Sequence, residues 1–190
     1  MIDTPVVDVD APTLTPPIGD RDHVVGPVSA PVTVVEYGDY ECPYCGMAHP
    51  IVKELRRRMG NQIRFAFRHF PLSRVHPHAE RAAEAAEAAG AQGPPRFWQM
   101  HDMLYEHQDA LEDEDLLVYA AEIGLDMDRF VADLESGRHA RKVREDFISG
   151  VRSGVNGTPT FFINGRRHQG SYDLATLMAA VSAAAMHVRR

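Results

Sequence analysis

Residues 31–45 carry the strongest structural signal in the chain, Pro31-Val32-Thr33-Val34-Val35-Glu36-Tyr37-Gly38-Asp39-Tyr40-Glu41-Cys42-Pro43-Tyr44-Cys45. The first part, from Pro31 to Tyr37, is rich in β-branched residues and predicts a buried strand that ends before Gly38. The last part is a Cys-Pro-Tyr-Cys motif that contains both cysteines of the chain. Because proline favours the first turn of a helix and glycine its end, we predict a helix from Pro43 to Met59.

The pattern on either side of this helix predicts a β-α-β unit. Residues 62–70 alternate between apolar and polar side chains, as expected of a second strand. Strand, helix and strand within about forty residues are typical of a parallel crossover. Further helices are predicted at 79–91, 97–108, 113–123, 126–134, 138–153 and 173–187. The strands 160–163 and 167–170 flank Asn164-Gly165, a strong hairpin signal.

Composition narrows the class of protein. The chain has 190 residues and a net charge of −7, so nucleic acid is not expected as a partner. Its longest apolar run is six residues, Leu116 to Ala121, which is too short for a transmembrane helix. Two cysteines supply neither a multi-disulfide framework nor a four-cysteine zinc site.

The N-terminal residues 1–24 differ from the rest, since they are rich in proline and aspartate and contain no aromatic residue. We expect them to form an extended, largely disordered tail. They do not show a basic region followed by an apolar stretch, so the chain as written is expected to be cytoplasmic. A chain from which a signal had been trimmed would look the same, and would be periplasmic or otherwise extracytoplasmic.

The two cysteines are predicted to have different roles. Cys42 directly precedes a helix, where unpaired N–H groups and the helix dipole favour thiolate over thiol. Cys45 lies one turn further, on the same face and within disulfide reach. We therefore expect Cys42 to be the nucleophile, with a pKa below about 8.5, and Cys45 the resolving thiol. The alternatives are a structural disulfide or half of a metal site.

Two segments carry a family resemblance, Val35-Glu36-Tyr37-Gly38-Asp39-Tyr40-Glu41-Cys42-Pro43-Tyr44-Cys45 and Gly154-Val155-Asn156-Gly157-Thr158-Pro159-Thr160-Phe161-Phe162-Ile163-Asn164-Gly165. They resemble the two signatures of the DsbA-like thiol–disulfide oxidoreductases, and the similarity extends from about His23 to the C-terminal helix. The resemblance implies an α/β, thioredoxin-like fold with an inserted helical domain. Residues 25–70 and 137–190 would form the thioredoxin-like domain, and residues 71–136 the inserted helical domain.

The resemblance also implies roles for single residues. Pro159 matches the family's cis-proline, which leaves the Thr158 backbone free to pair with an extended substrate. Pro43 and Tyr44, between the cysteines, join these two residues in the expected substrate-binding set. The alternative for Pro159 is an ordinary trans proline that opens a strand.

Glu36 matches the buried acid that thioredoxin-fold enzymes place beneath the resolving cysteine. A carboxyl group there would have a raised pKa and would accept the proton of Cys45. The alternative is a glutamate at the end of a strand, turned to solvent. Pro50 matches the proline that kinks the family's active-site helix.

Three properties of the predicted enzyme remain open or negative. Tyr44 stands where the family's strong oxidases carry histidine, so the direction of electron transfer stays open. No cofactor is expected, and the spacing of the histidines (His49, His76, His78 and His101 among them) matches no metal-ligand set. We expect a monomer whose partners are protein or peptide thiols and disulfides, with glutathione as a further candidate.

Two other function classes are compatible with these residues. One is a binding or chaperone module that keeps the fold without turnover, which failure to catalyse disulfide exchange would support. The other is a glutaredoxin-like iron–sulfur carrier, in which Cys42 of two chains and external thiols hold a cluster. A colourless protein after anaerobic purification would argue against the carrier.

Overall fold

The computed structural model describes residues 12–188 of the chain. The strands are β1 (His23–Val25), β2 (Val32–Gly38), β3 (Ile63–His69), β4 (Thr160–Ile163) and β5 (Arg166–Arg167). The helices are α1 (Pro43–Met59), α2 (Ala79–Gly90), α3 (Pro94–Glu106), α4 (Asp113–Glu122), α5 (Met127–Glu135), α6 (Ala140–Arg152) and α7 (Leu174–Val188). Within residues 12–188, no helix is long and apolar enough to cross a membrane.

The strands form one sheet in the order β1-β3-β2-β4-β5. β2 and β3 pair in parallel, with Val32 opposite Ile63 and Gly38 opposite His69. β4 pairs with the other edge of β2 in antiparallel orientation, and β5 completes the hairpin. The predicted α/β, thioredoxin-like fold is therefore confirmed, and its β-α-β unit places the ends of β2 and β3 side by side.

Alternate residues of the central strands face two separate cores. Val34 and Phe67 point to the face covered by α1, α7 and the inserted helices. Val35 and Phe162 point to the other face, where they meet Phe147 of α6 and the segment before β1. Because side chains alternate along a strand, Glu36 shares the face of Val34 and lies on the side of α1.

The helices α2 to α5 form an insertion between β3 and α6. Seven alanines of α2 are buried, so neighbouring helices approach its backbone closely. The proposed limits of the inserted domain, residues 71 and 136, fall in the connections that flank α2 and α5. We keep these limits as a proposal.

The expectation of a disordered tail is wrong for residues 12–24. The backbone N–H of Leu14 donates to the Gly165 carbonyl at 2.8 Å, and β1 pairs antiparallel with β3. The physical reason is Arg68, a buried guanidinium on β3 that requires acceptors. Asp22 and the carbonyl of Pro16 supply them, at 2.6 and 2.9 Å. Residues 1–11 of the predicted tail lie outside the described residues.

Two helices differ from the sequence prediction in detail. α1 has the predicted ends. Its sequence also has apolar residues at every fourth position, Met47, Ile51, Leu55 and Met59, which predicts one buried face, but Met47 is 54% exposed. The buried positions of α1 instead follow spacings of three and four, because an α-helix has 3.6 residues per turn. α3 begins at Pro94 rather than Phe97, since the two prolines that end the preceding segment also occupy its first turn.

Candidate active site

Cys42 occupies the N-cap position of α1, at the end of the short connection from β2. Its backbone is extended, with φ −73° and ψ 120°, and Pro43 occupies the first turn. The Cys42 N–H donates to the Asp39 carbonyl at 3.2 Å, and the Cys42 carbonyl accepts from Gly46 N–H at 3.1 Å. The connection from β2 therefore turns tightly enough to place the Cys42 sulfur over the start of the helix.

The surroundings of Cys42 lower the pKa of its thiol to about 5. A hydrogen bond from the Cys45 thiol is the largest favourable cause, and contacts with Thr158 and the N–H groups of Tyr44 and Cys45 add to it. Burial opposes these effects. Cys42 is therefore a thiolate at neutral pH, the form that attacks disulfides.

Cys45 has the opposite environment. It is fully buried, and its pKa is raised, first by burial, then by its hydrogen bond to Cys42 and by the negative charges of Glu36 and Cys42. The Asp39 N–H lies 3.5 Å from the Cys45 sulfur and is its one polar backbone contact among the described residues. Both cysteines are free thiols.

Thr158 and Pro159 lie beside Cys42. The Cys42 sulfur lies 3.5 Å from the Thr158 carbonyl oxygen, and the Thr158–Pro159 peptide bond is cis. The Thr158 hydroxyl is buried and has no hydrogen-bond partner in the part of the chain described. Tyr44 and Met47, both in the first part of α1, are exposed.

Glu36 is buried rather than turned to solvent. Its Oε1 has no hydrogen-bond partner within residues 12–188. Burial, and secondarily the charge of Cys42, raises the pKa of its carboxyl group to about 8. A carboxyl group in this state can exchange a proton near neutral pH.

Gln108 is a site residue that the sequence did not reveal. Its side-chain amide, at the end of the insertion's α3 region, donates to the carbonyls of Tyr40 and Cys42 at 2.7 and 2.9 Å. A Cβ atom on Gly46 would lie 2.0 Å from the Gln108 Oε1, so only glycine leaves room for this contact. A lone glutamine in a helical block has no pattern that would have signalled this role.

Two clusters of side chains have the geometry of metal ligands: His49, His101 and Asp102, and His69, Glu87 and Asp146. Each already contains an ammonium group. Lys53 Nζ lies 3.1 Å from Asp102, and Lys142 Nζ lies 2.6 Å from Asp146. These lysines supply the positive charge that a metal ion would bring, so we interpret both clusters as ion-pair networks.

The sequence belongs to a known family by direct comparison. Residues 19–183 match a family model described as thioredoxin. The chain belongs to the thioredoxin family. Within it, the helical insertion after β3 makes the fold DsbA-like.

Three solved structures share this DsbA-like fold. Oxidised BdbD from Bacillus subtilis has a TM-score of 0.82 at 24% identity, covering 93% of this chain and 99% of its own. A thioredoxin-like oxidoreductase from Silicibacter pomeroyi DSS-3 has a TM-score of 0.77 at 28% identity, covering 87% and 93%. The thiol-disulfide exchange protein alpha-DsbA2 from Wolbachia pipientis has a TM-score of 0.75 at 23% identity, covering 84% and 85%.

Curated relatives of this DsbA-like chain are much longer proteins. The Na(+)/H(+) antiporter NhaA 1 of Salinispora arenicola (strain CNS-205) is 58% identical over 165 residues, which are 87% of this chain and 25% of the antiporter. A protein of the same name from Mycobacterium sp. (strain KMS) is 44% identical over 174 residues, 28% of its length. The chain thus spans about a quarter of the length of the curated relatives it matches.

Proposed function

We propose that this DsbA-like chain is a thiol–disulfide oxidoreductase that exchanges disulfides with protein or peptide partners. One observation carries the proposal: two thiols at the start of one helix have pKa values moved in opposite directions. A stabilised thiolate attacks and also leaves readily, while a buried neutral thiol stays protonated until it is needed. A structural thiol pair has no need of this asymmetry.

The reaction follows from that asymmetry. The Cys42 thiolate attacks one sulfur of a substrate disulfide, forming a mixed disulfide and releasing the other substrate sulfur as a thiolate. Cys45 then loses its proton and attacks the Cys42 sulfur, which forms the Cys42–Cys45 disulfide and releases the second substrate thiol. Two electrons pass from the protein to the substrate, and the reverse sequence oxidises a substrate dithiol.

Glu36 is the proposed acceptor of the Cys45 proton. Well below its raised pKa of about 8, the buried carboxyl group is protonated and cannot accept a proton. Near that pH a fraction of Glu36 is carboxylate, and it becomes neutral when it takes the proton of Cys45. Its position on the α1 side of the sheet supports this role.

The substrate is proposed to bind across Pro43, Tyr44, Thr158 and Pro159. The Thr158 carbonyl is within 3.5 Å of the Cys42 sulfur, so an extended peptide paired with this backbone would bring its disulfide to the nucleophile. Exposed Tyr44 and Met47 offer apolar contact area for such a peptide. Glutathione is the proposed small-thiol partner.

Trapping tests this assignment. Cys45→Ser should accumulate mixed disulfides with insulin or an oxidised peptide, substrates that carry disulfides, because the resolving thiol is absent. Cys42→Ser should accumulate none, although its buried Cys45 remains. Trapping through Cys45 instead would contradict the proposal. Failure of both the wild type and the variants to catalyse reduction of insulin disulfides would contradict it as well.

A second candidate concerns the partner and is favoured by the long relatives. Because sequences 58% identical to this chain form a quarter of a protein named as a sodium–proton antiporter, we propose that the chain serves as a redox module of such an antiporter. Vesicles that contain the antiporter and this chain should show antiport that responds to dithiol or disulfide reagents. The response should disappear when the chain carries Cys42→Ser. Equal responses with wild type and variant would remove the antiporter as the partner.

A further inference from the structure

Asp39 connects both cysteines to the segment that leads into the helical insertion. Its carbonyl accepts from the Cys42 N–H at 3.2 Å, and its N–H lies 3.5 Å from the Cys45 sulfur. Its side chain is buried and faces residues 72–76, between β3 and α2. No other residue described here touches both cysteines and this segment through hydrogen bonds.

The Asp39 carboxylate has three hydrogen-bond partners. Oδ1 accepts from the Glu41 N–H at 2.8 Å, and Oδ2 accepts from the Leu72 N–H at 2.8 Å. The third partner is His76, whose Nδ1 lies 2.7 Å from Oδ2. The first two partners are backbone groups and cannot change their charge, whereas the imidazole can gain or lose a proton.

Asp39 bonds to the Cys42 N–H through its backbone, and its buried carboxylate opposes the Cys42 thiolate because two negative charges repel in a medium that screens weakly. A protonated imidazole on Asp39 would cancel that charge. His76 is partly exposed, at 19% of its side chain, so its proton exchanges with water. The charged or titratable groups that face it are Asp39, Glu41 and Cys42, all from the connection between β2 and α1.

We propose that His76 is a positioning residue that, when protonated, cancels the charge of Asp39 and thereby makes the redox equilibrium of the Cys42–Cys45 pair depend on pH. The inference rests on the proposed thiol–disulfide exchange. It assigns to the inserted segment a task that the dipeptide between the cysteines, Pro43-Tyr44, does not perform, since neither residue carries a positive charge.

The direction of the effect follows from linkage. Asp39, Cys42 and Glu41 raise the pKa of His76, although burial works against them. A protonated His76 stabilises the reduced protein, which carries the Cys42 thiolate, more than the disulfide, which carries no charge there. This stabilisation is complete below the His76 pKa of the oxidised protein and is lost as pH rises through the higher pKa of the reduced protein, where the Cys42 charge adds to those of Asp39 and Glu41. The protein should therefore be a stronger oxidant at low pH, because its reduced form is then favoured.

His76→Asn separates the charge from the hydrogen bond. The asparagine amide can replace Nδ1 as the donor to Asp39 but cannot be protonated. We would equilibrate the oxidised and reduced protein with glutathione, in which the protein dithiol and one glutathione disulfide exchange for the protein disulfide and two glutathione thiols. The constant of this reaction would be measured from about pH 5.5 to pH 8.5, a range that includes the ordinary histidine pKa.

The expected result is a pH-dependent difference between variant and wild type. At the acidic end of this range the variant should favour its disulfide about tenfold more than the wild type, a usual size for coupling between two sites, and the two should converge at higher pH. His76→Lys, which keeps a positive charge throughout, should retain wild-type behaviour at low pH and extend it upward. If the asparagine variant does not fold, this lysine variant still tests the proposal.

Two outcomes would overturn the inference. An unchanged pH profile in both variants would show that the imidazole charge does not reach the thiolate. A shift that is the same at every pH would show that His76 only anchors the segment 72–76. His139→Gln serves as the matched control, since His139 also pairs with a buried aspartate, Asp133 at 3.2 Å, but on the connection between α5 and α6. If the wild type does not exchange with glutathione and Cys45→Ser traps no mixed disulfide, the proposed function fails instead.

Discussion

Cys42 and Cys45 lie one helical turn apart, and this separation gives them different chemistry. The Cys42 sulfur contacts N–H groups and the Cys45 thiol at the N-terminus of α1, while the Cys45 sulfur lies deeper in the apolar core. Opposite pKa changes are the direct result, because donors favour the charged form and burial disfavours it. The motif alone could predict the first effect, since a cysteine before a proline-initiated helix is visible in the sequence.

The thiolate should appear in titrations as a single acidic step. We expect the ultraviolet absorbance of the reduced protein to rise with a midpoint near pH 5, with no second thiolate up to about pH 9 because the Cys45 pKa is raised. The Cys42→Ser variant is the control, and should show no step in this range. A midpoint at the ordinary value of about 8.5 would contradict the structure.

The same shift has a consequence for stability. The Cys42 pKa is lower in the folded than in the unfolded chain, so its contribution is present above about pH 8.5 and is lost as pH falls toward about 5. The stability of the reduced wild type relative to Cys42→Ser should therefore rise with pH, by up to about 1.4 kcal/mol per pH unit. Urea unfolding of both reduced proteins at several pH values would measure this, and parallel curves would argue against it.

Glu36→Gln tests the proposed proton acceptor. The wild-type rate at which Cys45 resolves a mixed disulfide should rise as pH passes about 8, where Glu36 becomes a carboxylate. The variant should lose that rise and be about 10²-fold slower above this pH. Glu84→Gln is a matched control, since Glu84 in α2 is also buried with a raised pKa and an oxygen without a partner in the described chain. Equal effects of both variants would contradict the role of Glu36.

Asp39 and Gln108 show the limit of what single residues reveal in a sequence. Asp39 lies within residues 31–45, and an aspartate three residues before the cysteine that begins the helix could have been predicted as a site residue. Its partners could not, because Leu72 and His76 come from a connection whose path depends on tertiary packing. Gln108 is further removed still, since 66 residues separate it from Cys42.

At the scale of elements, β2, α1 and β4 were predictable and β1 was not. Each of these three elements is long enough, or is bounded by strong enough turn signals, to be predicted from its local sequence alone. β1 has three residues, and its pairing with β3 depends on contacts with a strand 40 residues away. Proline and glycine predicted the right ends of α1, but its apolar repeat predicted the wrong face at Met47, because the core reaches the helix from the side of Cys45 and Ala48.

The contact between α1 and the insertion can be tested at Gly46. Alanine normally stabilises a helix by about 1 kcal/mol relative to glycine. Here its Cβ would displace the Gln108 amide and free two carbonyls, each contact being worth about 0.5–1.5 kcal/mol. Gly46→Ala should therefore destabilise the wild type by about 1 kcal/mol in urea unfolding.

The same substitution should have the opposite sign when Gln108 is absent. In a Gln108→Ala background the three atoms nearest to the added methyl group, all from the Gln108 amide, are gone, and the gain in helix propensity should dominate. Gly46→Ala should then stabilise the protein by about 1 kcal/mol. The same sign in both backgrounds would show that Gln108 does not hold the active-site connection.

At the scale of the whole molecule, the N-terminal segment is part of the fold because it neutralises a buried charge. Arg68 is 3% exposed and donates to both oxygens of Asp22, at 2.6 and 3.0 Å, and to the Tyr37 hydroxyl at 3.0 Å. Composition predicted disorder here, since proline and aspartate dominate the segment. A few specific contacts with the sheet outweigh this tendency to disorder, and the sequence of the segment alone does not predict them.

Removal of Asp22 should show how much this contact contributes. Asp22→Ala leaves a buried guanidinium without its carboxylate, which costs about 3–5 kcal/mol in comparable buried pairs. The pKa of Asp22 is lowered by Arg68, against the effect of burial, so the difference from wild type should shrink as pH falls below about 4.

Glu54→Ala is the matched control, because Glu54 accepts an equally short two-bond contact from Arg57 at the surface of α1. That variant should leave the urea midpoint nearly unchanged, since exposed ion pairs are screened by water. Equal losses in the two variants would mean that burial of Arg68 does not bind the N-terminal segment to the sheet.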